Sequence, residues 1–221
     1  MKFQPFDPRR ELFSHRKNLP HWRQRGATYF ITTRLGDSLP QTKLTEWHDE
    51  RRTWLRAHGL ASPDDIARLP DKLQWQFREW FQARLQRWLD AGHGSCWLRR
   101  PEIARLVADS LAHFDSQHYA LDAWVVMPNH LHALLAPLGE HTLGRVLQSL
   151  KGFTARSANG LLGRAGTFWQ EEGYDRIVRN ERELRHWRRY IAQNPVKARL
   201  REGEYLLGMG SGVQESGTDF E

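Results

Sequence analysis

The chain is poor in cysteine, in lysine and in long apolar runs, and each shortage closes off a class of protein. A lone cysteine, Cys96, among 221 residues excludes an internal disulfide and a cysteine-cluster zinc site. Such sparing use fits a reducing, cytoplasmic setting. No apolar run approaches the roughly 20 residues that a bilayer span needs. Residues 1–8 show no apolar signal region, so no membrane partner is expected. Acidic residues are also in short supply, 26 against 33 basic, which leaves a net charge of +7. Lysine supplies only six of the basic residues and arginine 27. Arginine forms planar, bidentate contacts with phosphate that lysine cannot. A solvated surface or arginine-favouring codon usage would also enrich it, but the balance points to nucleic acid.

What is present describes a folded domain. Hydrophobic residues make up 39% and charged residues 27%, proportions of a globular protein. The length suits one large domain with an elaboration. Residues 1–26 read as irregular, with Pro5, Pro8 and Pro20. Residues 27–35 form the first strand, rich in β-branched and aromatic side chains. Helical periodicity follows over 41–58, a helix start at Ser62-Pro63-Asp64-Asp65, and a long helix over 71–91. Pro101 opens a helix to about Gln117. Residues 119–127 and 130–136 are strands joined at Pro128-Asn129. A helix runs from Thr142 to about Ala158, 174–179 reads as a short strand, and 181–193 as a helix that Pro195 interrupts. This order predicts an α+β fold with an antiparallel sheet. Residues 1–206 form a single domain, with 36–100 as a helical insertion after the first strand, and 207–221 as a disordered tail. That tail holds three acidic residues and no basic one, so the domain itself carries +10.

Two clusters carry chemistry. In Met127-Pro128-Asn129-His130-Leu131-His132 two histidines flank one apolar residue at the head of a strand. Strand side chains alternate, so His130 and His132 share a face while Leu131 enters a core. Paired imidazoles are ready ligands for a divalent metal; the competing reading is two histidines that merely pack in a sheet. The second cluster lies in the arginine-rich helix. Leu184, Trp187 and Ile191 mark its buried stripe, and Tyr190 and Asn194 stand one turn apart at its edge. Arg182, Arg185 and Arg189 take the far face, and residues 176–201 alone carry +7. Tyr190 also reads as an amphipathic boundary tyrosine, and Asn194 before Pro195 as a helix N-cap. A tyrosine with its usual pKa near 10 is only about 0.1% phenolate at pH 7, so attack on a phosphodiester needs help. A metal held by two imidazoles and an amide oxygen supplies it, and such a mixed N/O set suits Mg²⁺ or Mn²⁺.

These residues resemble a known family. His130-Leu131-His132 is similar to the histidine–hydrophobe–histidine motif of the single-tyrosine HUH transposases (IS200-like). The run from Trp124 to His132, then Phe168-Trp169-Gln170 with residues 174–180, then Tyr190 to Lys197, resembles the REP-associated tyrosine transposases in order and spacing. The resemblance implies an HUH ferredoxin-like core from 27–35 and 101–200, an antiparallel sheet with helices on one side. It implies His130, His132 and Asn194 as ligands of Mg²⁺ or Mn²⁺ and Tyr190 as nucleophile. The implied reaction is cleavage and strand transfer of single-stranded DNA at hairpin-associated sites through a 5′-phosphotyrosine, in DNA transposition.

Arg164, Arg179, Arg188, Arg189 and Lys197 are the expected phosphate contacts. Tyr174 is a rival nucleophile, and His186, one turn before Tyr190, a candidate proton-transfer group. Trp47, Trp54, Trp75, Trp80 and Trp88 either stack on bases or pack the insertion. Gly163-Arg164-Ala165-Gly166 is too short for a nucleotide loop, and no small-molecule substrate is expected. The expected partner is single-stranded or hairpin DNA, the location cytoplasmic and nucleoid-associated, the assembly a monomer or homodimer. The alternatives are a non-catalytic DNA- or RNA-binding regulator of the same fold, and a water-using phosphoesterase in which Tyr190 is structural.

Overall fold

The computed structural model describes residues 3–7, 9, 13–16, 20–171 and 173–211. Its centre is a five-stranded antiparallel sheet in the order β6-β3-β5-β4-β7. The strands are β3 (Tyr29–Arg34), β4 (Tyr119–Met127), β5 (His130–Pro137), β6 (Tyr174–Ile177) and β7 (Leu206–Met209). The histidine strand β5 is the middle one, fully buried along its length. Alternation sorts its side chains as the sequence predicts. Leu131, Ala133 and Leu135 join one core with Ile103, Val107 and Leu111 of α3 (Pro101–His113) and Leu143 and Val146 of α4 (Leu143–Leu161).

On the opposite face Phe30, Val125, Met127 and Leu134 pack with Leu184, Trp187 and Ile191 of α5 (Glu181–Lys197). Helices therefore cover both faces of the antiparallel sheet rather than one, because α5 carries its own apolar stripe. In β4 the register shifts between Leu121 and Trp124, so Asp122 and Ala123 stand opposite the single Leu134. That bulge turns Asp122 toward α5, where its fully buried carboxylate accepts two 2.8 Å hydrogen bonds from Arg188.

The insertion is an antiparallel helical pair, α1 (Gln41–Ala57) and α2 (Asp71–Asp90), with a 3-10 turn at Pro63–Arg68. Leu44 and Trp47 at the start of α1 meet Leu85, Trp88 and Leu89 at the end of α2, while Leu55 meets Phe77 and Phe81. Trp47 stacks on Phe81 at 4.0 Å. Trp47, Trp54 and Trp88 thus pack the insertion, Trp80 is 36% exposed, and the Trp75 side chain lies outside the described residues. Arg176 of β6 fastens the pair to the domain, reaching Glu79 of α2 at 2.7 Å and Glu183 of α5 at 3.0 Å.

Three expectations change. The N-terminal region contains an antiparallel strand pair, β1 (Phe13–Arg16) with β2 (Pro20–Arg23). The expected tail begins instead with β7, an edge strand paired to β4. Gly208 and Gly210 make that approach feasible, since a Cβ there would overlap the Trp124 ring and the Leu121 carbonyl. Residues 212–221 of the expected tail lie outside the described residues. Finally, Pro195 sits inside α5 rather than ending it. It falls in the last turn, where the chain closes through Ala198 N to Asn194 O at 3.0 Å and Leu200 N to Pro195 O at 2.9 Å.

Candidate active site

The sheet face under α5 holds the site. His130 and His132 are both fully buried there, their ring centroids 4.7 Å apart. Tyr190 stands over them from α5, edge-on to His132 at 5.4 Å and to Phe30 at 5.6 Å. Asn194 lies one turn beyond and is buried. It is not an N-cap; that role belongs to Asn180, whose side chain accepts from Glu183 N at 2.9 Å. The residues of the two sequence clusters therefore meet.

Each imidazole is held from behind. Asn129 donates its amide nitrogen to the Leu89 and His93 carbonyls at 3.2 and 3.1 Å, which leaves its oxygen facing His130 Nδ1 at 2.8 Å. His130 Nδ1 must then be the protonated nitrogen, and its Nε2 lone pair faces the site. His132 Nδ1 meets the Thr32 hydroxyl at 2.8 Å, leaving Nε2 toward Tyr190's side of the sheet. Burial pushes His130 down to about 3, and burial plus the neighbouring His130 holds His132 well below the usual histidine range. Both rings are neutral at pH 7 and keep their lone pairs.

Three polar atoms of these residues are buried and poorly partnered: His132 Nε2 has no hydrogen-bond partner among the described residues, and Tyr190 Oη and Asn194 Oδ1 have none beyond each other's side chains. Buried orphans of this kind are costly, about 1–3 kcal/mol each. Together with His130 Nε2, two imidazole nitrogens and an amide oxygen offer a donor set that a divalent cation would satisfy. Among the described residues no three His, Cys, Asp or Glu side chains stand together as a site, so the amide is essential to this set.

Two residues that the sequence did not single out enter from the insertion. Gln86 of α2 lies 3.5 Å from His130 Nε2 and donates to Asp90 at 2.5 Å. Burial raises the Asp90 carboxyl, opposed by Gln86 and by the Lys197 charge. Burial holds the Tyr190 hydroxyl protonated well above its usual range, reinforced by the Asp90 charge and opposed by Asn194. The i, i+4 spacing of Gln86 and Asp90 marks one helix face, but nothing local says that this face meets the histidines.

The remaining candidates separate. Tyr174, on β6, packs against the same core and lies near enough to Tyr190 to act on its titration. His186 lies edge-on to Trp187 at 4.8 Å. Lys197 is exposed and places its Nζ 5.4 Å from the Tyr190 ring centroid. Arg179 and Arg189 are exposed on α5's side of the domain. Arg164 lies on the loop after α4, donating to the Thr167 carbonyl at 3.2 Å. Arg188 differs: both ends of its fork are committed to buried Asp122, a structural tie between α5 and β4.

No helix among the described residues is long and apolar enough to cross a membrane. No known family model matches the chain. A solved structure of a REP-associated tyrosine transposase bound to a REP hairpin aligns with a TM-score of 0.42 at 17% identity, covering 84% of this chain and 74% of that one. A REP-associated tyrosine transposase of Escherichia coli (strain K12) is 35% identical over 81 residues, 36% of this chain. The match spans about half of that protein's length, 46%. Over this matched segment, the resemblance read from the histidine and tyrosine motifs is borne out: the chain is similar to the REP-associated tyrosine transposases.

Proposed function

We propose that the chain is a metal-dependent tyrosine transposase that cleaves and rejoins single-stranded DNA beside hairpins. The observation that carries this reading is that the buried His132 ring, its Nε2 unpartnered among the described residues, packs against both His130 and Tyr190, while Tyr190 hydrogen-bonds Asn194 one turn along α5. His130, His132 and Asn194 would hold Mg²⁺ or Mn²⁺. Such an ion, when bound, polarises a non-bridging phosphate oxygen and offsets transition-state charge.

The chain's own groups account for the rest. Tyr190 Oη attacks the scissile phosphorus, a bond forms to the 5′ phosphate, and the bond to the 3′ oxygen breaks. The tyrosine proton must leave, because burial holds it in place at rest. Asp90 is the carboxylate whose charge bears on that hydroxyl, and its own raised affinity for a proton suits it to accept one. The departing 3′ oxygen takes up a proton, and attack by a 3′ hydroxyl reverses the step without ATP. Lys197, its Nζ 5.4 Å from the Tyr190 ring centroid, and the exposed Arg179 and Arg189 would hold backbone phosphates.

The test is to incubate end-labelled hairpin oligonucleotides with Mg²⁺ or Mn²⁺ and run a denaturing protein gel. Wild type yields a labelled covalent band, Tyr174→Phe keeps it, and Tyr190→Phe loses it while still binding DNA. A band that persists in Tyr190→Phe overturns the nucleophile. Strand cleavage without any band makes the chain a water-using phosphoesterase, and binding without either makes it a non-catalytic binder.

A further inference from the structure

The helical insertion does more than border the site; the end of α2 holds the polar atoms that orient His130. Asn129 is buried and donates its amide nitrogen to two carbonyls, Leu89 at 3.2 Å and His93 at 3.1 Å. Leu89 belongs to the last turn of α2, and His93 to the loop that follows it. Carbonyls only accept, so the two together fix which end of the amide faces α2. The oxygen end is then the one that meets His130 Nδ1, at 2.8 Å. From the other side Gln86, one turn before Leu89, brings its amide nitrogen to 3.5 Å from His130 Nε2. That contact is long, and it suits an unprotonated ring nitrogen.

The loop after α2 is itself anchored. Gly94 has a φ of +87°, in the left-handed region that glycine enters without strain. A Cβ there would overlap the Asp37 carbonyl, so the loop is seated directly on the backbone that follows β3. The Asp37 carboxylate accepts from Ser95 N at 2.8 Å. A few residues on, Leu98 N reaches the Pro128 carbonyl at 3.1 Å, next to Asn129. Held on both sides, the loop presents the His93 carbonyl to Asn129 in a fixed place.

We propose that Asn129 is a positioning residue through which the helical insertion sets His130 as a metal ligand, locking its proton on Nδ1 and its lone pair on Nε2. The ligand role rests on the transposase reading above; the tautomer does not. A neutral imidazole carries its proton on either nitrogen, and only one of the two forms offers Nε2 to an ion. The two histidines differ in this respect. Behind His132 stands the Thr32 hydroxyl of β3, which both donates and accepts and so does not choose a tautomer. Behind His130 stands an amide whose oxygen can only accept, and its orientation comes from α2 and the loop after it.

The experiment reads that proton directly. The full-length chain, labelled with ¹⁵N-histidine and stripped of metal by a chelator, is observed by NMR, and His130 is assigned by its loss in His130→Ala. Its ring should show a protonated Nδ1 and a bare Nε2. Asn129→Leu removes the acceptor, so it should lose this single form and bind Mn²⁺ about 10- to 100-fold more weakly by calorimetry. Asn129→Asp keeps an oxygen before Nδ1 and should keep both the form and the affinity. It should melt lower, because it has no donor for the Leu89 and His93 carbonyls. Gly94→Ala leaves every side chain around His130 unchanged and should shift the tautomer and the affinity in the same direction as Asn129→Leu. A proton on Nε2 in wild type overturns the proposal. So does either Asn129→Leu or Gly94→Ala with the wild-type tautomer and affinity, and so does loss of the form in Asn129→Asp, which decides where the other two do not fold. The Nδ1–H form in a wild type that binds no Mn²⁺ rejects the metal reading and keeps the lock. Mn²⁺ binding lost in His132→Ala but untouched in Asn129→Leu rejects the lock alone.

Discussion

Arg188 tests whether charge on α5 serves DNA or the fold. The Asp122 carboxylate that it binds is fully buried at the β4 bulge, with both oxygens at 2.8 Å from the guanidinium. Arg188→Ala would leave that carboxylate with no cation in the interior. Breaking a buried pair from one side costs about 3–5 kcal/mol. A chain of this size loses roughly 2–4 °C of Tm per kcal/mol, so thermal unfolding should fall by about 6–20 °C. Arg179→Ala, exposed just before α5, should stay within about 0.5 kcal/mol of wild type.

Replacing both partners, Asp122→Leu with Arg188→Met, should recover most of the loss, since apolar substitutes for a buried pair are often neutral. Salt dependence of hairpin binding supplies the complementary measurement. Arg179→Ala should lower the slope of log K against log salt by about one, and Arg188→Ala, measured well below its Tm, should not. An Arg188→Ala protein that melts within about 2 °C of wild type, or whose salt slope drops instead, refutes the structural assignment.

Three further outcomes follow from the site. Tyr190→Phe removes a buried hydroxyl whose side-chain partner is Asn194, so urea unfolding should place the variant within about 1 kcal/mol of wild type; a larger loss contradicts so sparse a partnership. Thr32→Val deletes the group behind His132 Nδ1 while keeping its shape; Mn²⁺ affinity by calorimetry should fall about 10- to 100-fold, and unchanged affinity argues against the ligand role. Asp115 is pushed up by burial but pulled lower overall by the Ser211 hydroxyl and by backbone N–H groups of Leu121 and Ser211. A carboxyl lowered on folding stabilises above its unfolded pKa and loses that contribution as pH falls through its folded value. The stability gap between wild type and Asp115→Asn should therefore be complete at pH 6 and narrow below about pH 4 in urea titrations.

The legible parts of this fold are those where local pattern and packing agree. Strand-forming runs on either side of the Pro128-Asn129 turn located β4 and β5, and the period of a strand placed His130 and His132 on one face. The Leu184, Trp187 and Ile191 stripe located Tyr190 at a core edge. What stayed hidden depends on who the neighbour is. Pro195 breaks a helix interior but is tolerated in a last turn, and only the closing bonds of α5 reveal which applies. The glycines of β7 look like a linker until Trp124 and the Leu121 carbonyl need the room. Arg188 and Arg189 are indistinguishable as letters; a one-residue bulge in a strand sixty-odd positions earlier separates them. Gln86 and Asp90 reach the site through docking of the insertion against β5, which no local period encodes.

The histidines occupy the central strand of five, bonded on both sides by β3 and β4. Amide protons of β5 should therefore exchange with solvent only when the whole domain unfolds, whereas α5, α1 and α2 lie on a surface of that sheet and can open in smaller units. On the proposed reading the nucleophile Tyr190 is carried by a peripheral element and the histidine pair by the most persistent one. Under that reading a DNA strand could enter and leave by lifting the periphery, with the histidine face of the site kept assembled throughout.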